Sequence, residues 1–188
     1  MTGSEKYKLF ATLPDVARTG WVQRGVQNPE SVAEHMYGCW LLGTFLLPEA
    51  HSDPTYCKQD VLEMLLLHDL PEAVTGDIPR PEKKKNPIYY EQLEQQAAQS
   101  SLLSGVYTQK QKQLWQEWSE QLSFNALVAK DIDDLQAIFT FLKYKEKNPA
   151  LFSDEDSAAW LSGLDKLKTD IGKQMAKELF IHENNIPG

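Results

Sequence analysis

Apolar residues along the chain recur at three- and four-residue spacing, and no segment alternates with period two over any length, so the pattern predicts helices joined by short polar or proline-containing connections. Residues 5–13 form an amphipathic start, with Tyr7, Leu9, Phe10 and Leu13 as apolar anchors before Pro14. Ser31 followed three residues later by Glu34 is a capping box, which predicts a helix from there to about Leu47, ended by Pro48. Residues 60–75 read as the next helix, with Leu62, Leu65 and Leu66 on its buried face. Pro71 has no amide to donate and is expected to kink or end it. The stretches Tyr89 to Leu103 and Gln109 to Leu122 place Gln and Glu outside and Leu93, Ala97, Leu114 and Trp118 inside, with no chemistry evident in either. Residues 124–145 carry a large apolar stripe of Val128, Ile132, Leu135, Phe139 and Leu142. A last helical region from Asp154 to about Ile181 presents Trp160, Leu164, Leu167, Ile171, Met175 and Leu179, and the tail from His182 to Gly188 is expected to fray. The fold class is all-α, and 188 residues suit one domain that buries a full core unaided.

Two stretches break the periodic pattern. Arg18 to Pro29 holds two glycines, Trp21, Arg18 and Arg24 without helical period, so it reads as an ordered loop of the kind that touches ligands. Trp21 there either faces a ligand or plugs the core. Gly76-Asp77-Ile78-Pro79-Arg80-Pro81 is a stiff turn directed back toward the preceding helix, in which Asp77 serves as a turn residue or as a functional acid.

The formal charge of −8 and a pI of about 5.0 oppose nonspecific binding to nucleic-acid polymers, whose affinity comes from clustered Lys and Arg. An anionic ligand therefore needs local positive charge, from a metal, from Arg18, Arg24 or Arg80, or from the run Lys83 to Lys85. Cys39 and Cys57 lack metal-type spacing and read as space-filling thiols, and no apolar stretch is long enough to span a bilayer or to act as a signal core. The expected compartment is the cytoplasm, with no membrane role.

The candidate chemistry centres on Met64 to Arg80. His68 and Asp69 are consecutive, and Glu72 follows one helical turn later, so the three share one side of a helix. An imidazole and a carboxylate side by side can hold one divalent ion, which could be zinc, manganese, iron, cobalt or nickel, but two ligands are too few for a tight site. His35, in the first turn of the Ser31 helix beside Val32, Met36 and Cys39, is a further donor; His51 reads as surface. In the 124–145 helix, periodicity allows either Asp131, near the apolar stripe, or Asp133, on a face of small residues with Ala126, Ala129, Ala137 and Thr140, to be the buried acid.

The order of His35, His68-Asp69 and a late aspartate resembles the HD-domain metal-dependent phosphohydrolases. The runs Arg18-Thr-Gly-Trp21-Val-Gln-Arg24, Pro29-Glu-Ser-Val-Ala-Glu-His35 and Thr75-Gly-Asp77-Ile-Pro narrow it to the 5'-deoxynucleotidase branch, over about residues 9–145. The resemblance implies a single HD-domain helical bundle over 1–188, His35, His68, Asp69 and Asp133 as metal ligands, and so Asp133 rather than Asp131. It implies Glu72 as the essential acid with Asp77 as the alternative proton carrier, and Arg18 as the phosphate clamp. Asp77, Ile78, Pro79 and Arg80 then lie around the sugar, with Trp21 at the substrate despite a Thr-Gly insertion before it.

Two neutral imidazoles and two carboxylates would bring a divalent ion near neutrality, magnesium being a sixth possibility. Proteins of this family with two metals carry extra histidines between the central pair and the late aspartate. This chain has none between Asp69 and Asp133, so one metal and phosphomonoester hydrolysis are expected. The implied substrate is a 2'-deoxyribonucleoside 5'-monophosphate. Another small phosphorylated metabolite, or a purely structural metal on a binding protein, are the competing readings. A homodimer is expected from the same resemblance.

Overall fold

The computed structural model describes residues 2–100, 105 and 107–180, apart from the side chains of Lys6, Leu9 and Phe10. The expected helix ends at Leu103 and Ile181, the tail 182–188 and the anchoring roles of Leu9 and Phe10 lie outside that description. In chain order the helices are α1 Gly3–Phe10, α2 Thr19–Gln23, α3 Val32–Leu46, α4 Lys58–Leu67, α5 Glu72–Thr75, α6 Arg80–Lys85, α7 Pro87–Gln99, α8 Gln109–Glu120, α9 Phe124–Lys147, α10 Asp154–Leu161 and α11 Asp170–Phe180. Short 3-10 turns lie at Leu13–Asp15, Pro149–Leu151 and Leu164–Lys166. The all-α expectation holds: among the described residues the only β-type pairing is an isolated bridge between Ala17 and Ser31. No described helix is long and apolar enough to cross a membrane.

The long helix α9 forms the axis, with α3, α4, α8 and α11 packed around it. Val128, Ile132 and Leu135 meet Cys39 of α3, Val61, Met64 and Leu65 of α4, Leu114 of α8 and Ile171, Met175 and Phe180 of the last helix, and these side chains form the main core. The stripe expected to continue through Phe139 turns aside there. Phe139 is exposed, while Ile138 and Phe141 point inward, because the second half of α9 is covered by α2, α10 and the turn at 149–151 instead of by α4 and α8. Phe141 accordingly packs with Trp21, Val26, Tyr144 and Phe152.

Local signals set where the elements start and stop. The Ser31 capping box is complete: Ser31 Oγ accepts the Glu34 amide at 3.2 Å, and Glu34 Oε2 accepts the Ser31 amide at 2.7 Å. It begins α3 one turn before His35. The expected continuous helix over 60–75 is instead broken. After the His68 amide bonds the Met64 carbonyl, the closures tighten to Leu70 on Leu67 and Glu72 on Asp69, and the helix restarts as α5 beyond Pro71. The segment from Arg18 is not a loop throughout, since Thr19–Gln23 make one helical turn that buries Trp21. His51, expected at the surface, is half-buried: its ring stacks on Phe124 at 5.0 Å and its Nε2 meets Asp170 Oδ2 at 3.0 Å.

Asp131 and Asp133 are both buried, on opposite faces of α9, which periodicity alone did not separate. Asp131 is a tertiary staple. Its carboxylate accepts the amides of Lys168 at 2.9 Å and Thr169 at 2.8 Å and the Thr169 hydroxyl at 2.7 Å, and Thr169 Oγ1 in turn accepts the Gly172 amide. Position 172 must be glycine for this approach, since a Cβ there would collide with the Asp131 carboxylate. Replacing Asp131 by Ala leaves two buried Thr169 donors and the part-buried Lys168 amide without their acceptor and is expected to cost about 3 kcal/mol. A lower urea midpoint with unchanged metal affinity checks it, and an unchanged midpoint refutes the staple.

Candidate active site

Four side chains from three elements converge behind the break in α4. His35 comes from the first turn of α3, His68 and Asp69 from the tightened turn after α4, and Asp133 from α9. His35 Nε2 lies 3.0 Å from Asp133 Oδ1, 3.3 Å from His68 Nε2 and 3.6 Å from Asp69 Oδ2, and His68 Nε2 lies 3.2 Å from Asp69 Oδ2.

The far side of each ring identifies where its proton sits. His68 Nδ1 is 3.0 Å from the Leu65 carbonyl, which can only accept, so Nδ1 carries a hydrogen and, in the neutral ring, Nε2 is bare. His35 Nδ1 is 2.6 Å from Gln136 Oε1 and donates likewise. Two imidazole lone pairs and two carboxylates thus face one point with no donor among them, an arrangement that is repulsive unless a cation lies between.

Burial disfavours charged His68, but the carboxylates of Asp69 and Asp133 outweigh it and raise its pKa, so without a cation among them these groups favour a proton on His68 Nε2. Burial likewise resists ionisation of Asp69, yet His68 and Arg18 hold its carboxyl far below the usual range. Asp133 is lowered against burial by Lys130, His35 and Arg80. Cys39 also closes on the cluster, with its sulfur 3.7 Å from His35 Nε2. Together with His35, His68 and Asp133 it brings ligand atoms within 4.8 Å of one another. Burial pushes its thiol well up, which works against a thiolate ligand, and Asp69 also approaches both imidazoles, so either Asp69 or Cys39 could complete the set around a divalent ion.

Beside this cluster lies a charged arrangement built around Arg18, whose Nη1 is 3.1 Å from Asp69 Oδ2, 3.0 Å from Asp77 Oδ1 and 3.9 Å from Glu72 Oε2. Burial works against its charge, but Asp69, Asp77 and Glu72 more than compensate. Asp77 uses its other oxygen to accept the Thr19 amide at 2.7 Å, and Thr19 Oγ1 donates to the Asp77 carbonyl at 2.9 Å. Asp77 therefore pins the returning turn to the start of α2 and holds Arg18 in place.

Glu72 stands apart from these paired groups. It is buried, its Oε2 has no hydrogen-bond partner, and Lys83 Nζ stops 3.9 Å from Oε1. Burial first, and then the Asp69 charge, push its carboxyl well above the usual range. The carboxyls of two neighbouring acids are thus pushed in opposite directions, the arrangement by which sites separate a proton carrier from a charged partner.

One cavity of about 600 Å³ opens onto this group. Arg18, Trp21, His68, Asp69, Glu72, Asp77, Ile78, Pro79, Arg80 and Asp133 all line it, while His35 lies fully buried behind. Trp21 reaches the wall from the core, its ring stacked on Trp160 at 5.0 Å and its Nε1 donating to Glu30. Arg80 bridges Asp133 and Asp134.

An HD domain family model matches residues 10–175. The chain belongs to the HD domain family. Among its relatives, the 5'-deoxynucleotidase HDDC2 of Dictyostelium discoideum is 34% identical over 150 residues, covering 77% of this chain and 78% of that protein. The human 5'-deoxynucleotidase HDDC2 is 30% identical over 140 residues, covering 74% of this chain and 66% of that protein. In fold it resembles a conserved hypothetical protein from Pyrococcus furiosus, with a TM-score of 0.77 at 24% identity over 98% of this chain and 100% of that one. A predicted metal-dependent phosphohydrolase from Magnetospirillum magnetotacticum superposes with a TM-score of 0.64 at 20% identity over 94% of this chain and 90% of that one.

Several residues at this HD-domain site gave no signal in the sequence. Trp118, on a helix that showed no chemistry, lies against the His68 ring at 4.8 Å. Lys130 bonds Asp133 Oδ2 at 2.5 Å and sits over the Trp118 ring. Its position three residues before Asp133 was the one available hint. With manganese at a hundred times its dissociation constant the wild type should gain about 2.7 kcal/mol of stability. Asp133→Asn should lose that gain and bind the ion on the order of 100-fold more weakly. Titration calorimetry and melting curves read both, and undiminished binding would remove Asp133 from the donor set.

Proposed function

We propose that this protein is a 5'-deoxynucleotidase, hydrolysing 2'-deoxyribonucleoside 5'-monophosphates to the deoxynucleoside and inorganic phosphate with one divalent ion. The observation that carries the reading is the buried Glu72 carboxyl, its Oε2 without a hydrogen bond, in one cavity with Arg18, His68, Asp69 and Asp133. A structural metal requires ligands but neither a cationic clamp nor a spare proton. The choice of substrate rests on the names of the relatives, 5'-deoxynucleotidases from Dictyostelium to human.

In this reading His35, His68, Asp69 and Asp133 hold the ion, which is manganese, cobalt, zinc, iron, nickel or magnesium. The chemistry such an ion supplies is a more acidic water and neutralisation of phosphoryl charge. Arg18 binds a phosphoryl oxygen and stabilises the charge that develops on it. As water attacks phosphorus and the P–O5' bond breaks, Glu72 gives its proton to the departing 5'-oxygen, and the proton shed by the attacking water restores the acid for the next turnover. Asp77, committed through both carboxylate oxygens, orients Arg18; Ile78, Pro79, Arg80 and Trp21 contain the sugar side of the cavity. The chain acts as one domain and as a homodimer, for which exposed Tyr37 and Phe45 on α3 offer apolar surface. It works in the cytoplasm, where thiols such as Cys39 and Cys57 stay free.

Metal-stripped protein resupplied in turn with each ion and given a panel of deoxy- and ribonucleoside 5'-monophosphates should release phosphate from the deoxy forms alone. Release from none of them, with metal bound, would move the substrate to another phosphorylated metabolite. Glu72→Gln should retain metal and fold while kcat falls about 10²- to 10⁴-fold. The acid form of Glu72 exists below its raised pKa and is lost as pH climbs through it. Wild-type kcat should therefore decline on the alkaline side, and the residual rate of Glu72→Gln should lack that decline; an unaltered profile would exclude Glu72 as the acid.

A further inference from the structure

Behind the donor cluster runs a buried polar chain that the proposed chemistry does not use. Gln136 of α9 is buried, and its Oε1 lies 2.6 Å from His35 Nδ1. Its Nε2 uses both hydrogens on the other side, one toward Glu30 Oε2 at 3.0 Å and one toward Thr140 Oγ1 at 3.1 Å. The Thr140 hydroxyl passes its own hydrogen on to Glu30 Oε2 at 3.3 Å. Glu30 is in turn fixed through Oε1, which accepts the Trp21 indole at 3.2 Å, and through its amide, which donates to the Tyr144 hydroxyl at 2.7 Å. The seat of the amide is tight: a Cβ on Gly38 would stand 2.9 Å from Gln136 Nε2 and 3.3 Å from its Cγ.

A carboxamide is nearly symmetric in shape, so nothing in its own packing decides which end faces His35. Its partners decide. A carboxylate only accepts hydrogen bonds, so turning Gln136 over would bring its carbonyl oxygen against Glu30 Oε2 with no hydrogen between them. In the orientation seen, the carbonyl faces His35, and only the tautomer with hydrogen on Nδ1 can bond it. That tautomer leaves Nε2 bare toward His68, Asp69 and Asp133.

We propose that Glu30 is a positioning residue that selects the metal-binding tautomer of His35, acting through Gln136 without touching the donor cluster. The inference rests on the reading of His35 as a metal ligand. Because Glu30 also holds the Trp21 indole and lines the cavity wall, it joins that wall to the metal-binding face of the site.

Glu30→Gln tests this, since it keeps shape and an acceptor for Trp21 while turning an amide toward Gln136. Gln136 is then free to turn over, presenting Nε2 to His35 and moving the imidazole hydrogen to Nε2. Long-range proton–nitrogen NMR of the metal-free full chain should show the Nδ1–H pattern for His35 in the wild type and the Nε2–H pattern in Glu30→Gln. Calorimetry with manganese should show about 10- to 100-fold weaker binding in Glu30→Gln. Gln136→Leu should weaken binding to a similar degree, and the double variant should be no weaker than Gln136→Leu alone, because both act on one chain. An Nε2–H wild type overturns the proposal whether or not any variant folds. So does a folded Glu30→Gln that keeps the Nδ1–H pattern and wild-type affinity. A wild type that binds no manganese or other divalent ion fails differently, removing the metal reading itself.

Discussion

The constraint on which the site depends is the mutual repulsion of four electron-pair donors. Two unprotonated imidazole nitrogens 3.3 Å apart, with carboxylate oxygens at 3.0 and 3.2 Å, cannot rest on one another without a proton or a cation between them. The protein holds them there by spending every other hydrogen-bonding atom of the rings elsewhere, on the Leu65 carbonyl and on Gln136. Packing supplies the remaining force. α3 and α4 lie directly against α9, and the two histidines are as buried as the leucines around them, so the cluster cannot relax by swinging into water.

Backbone detail decides what stands next to this cluster. Had α4 continued as a regular α-helix to residue 75, Glu72 would follow His68 by one full turn along a straight stripe. The tightened turn from His68 to Pro71 instead closes Glu72 onto Asp69 and restarts the helix with Glu72 at its first position. Asp69 is left facing Arg18 at 3.1 Å, while Glu72 is buried with no hydrogen bond to its Oε2. The pKa values of two carboxyls three residues apart are thereby pushed in opposite directions, with burial raising one and positive neighbours lowering the other.

Helix existence was legible where a local rule acts alone: the Ser31–Glu34 box, the prolines and the three- to four-residue spacing suffice for α3, α4, α8 and most of α9. What escaped depends on the neighbours an element meets. Phe139 fits the apolar stripe as well as Ile138 does, and only the covering of the second half of α9 by α2 and α10 chooses between them. Asp131 and Asp133 lie two residues apart on opposite faces. One proved to be a staple for α11, a use of a carboxylate that leaves no trace in periodicity. The residues gathered around His68 and Asp69 could be suspected from their order in the chain. Lys130 had only its position three residues before Asp133 to mark it and Glu30 only its place in the run before His35, while Trp118 and Gln136 had nothing, because a side chain that reaches across helices to support another carries no spacing signature.

The balance of charge at the site explains why an acidic protein can face a phosphate there. Arg18 and Lys83 both stand 3.9 Å from Glu72, yet Asp69 and Asp77 already bracket Arg18, Glu94 pairs with Lys83, and Lys130 and Arg80 are engaged with Asp133 and Asp134. The side chains alone therefore present a phosphate dianion with little uncompensated positive charge, in a chain whose formal charge is −8. In the proposed reading a divalent ion held by His35, His68, Asp69 and Asp133 would change that balance: it would draw on the Asp69 carboxylate that otherwise competes for Arg18, leaving more of the guanidinium field for the substrate. Metal affinity and phosphate affinity would then be coupled through Asp69, which belongs to the donor cluster and also pairs with Arg18.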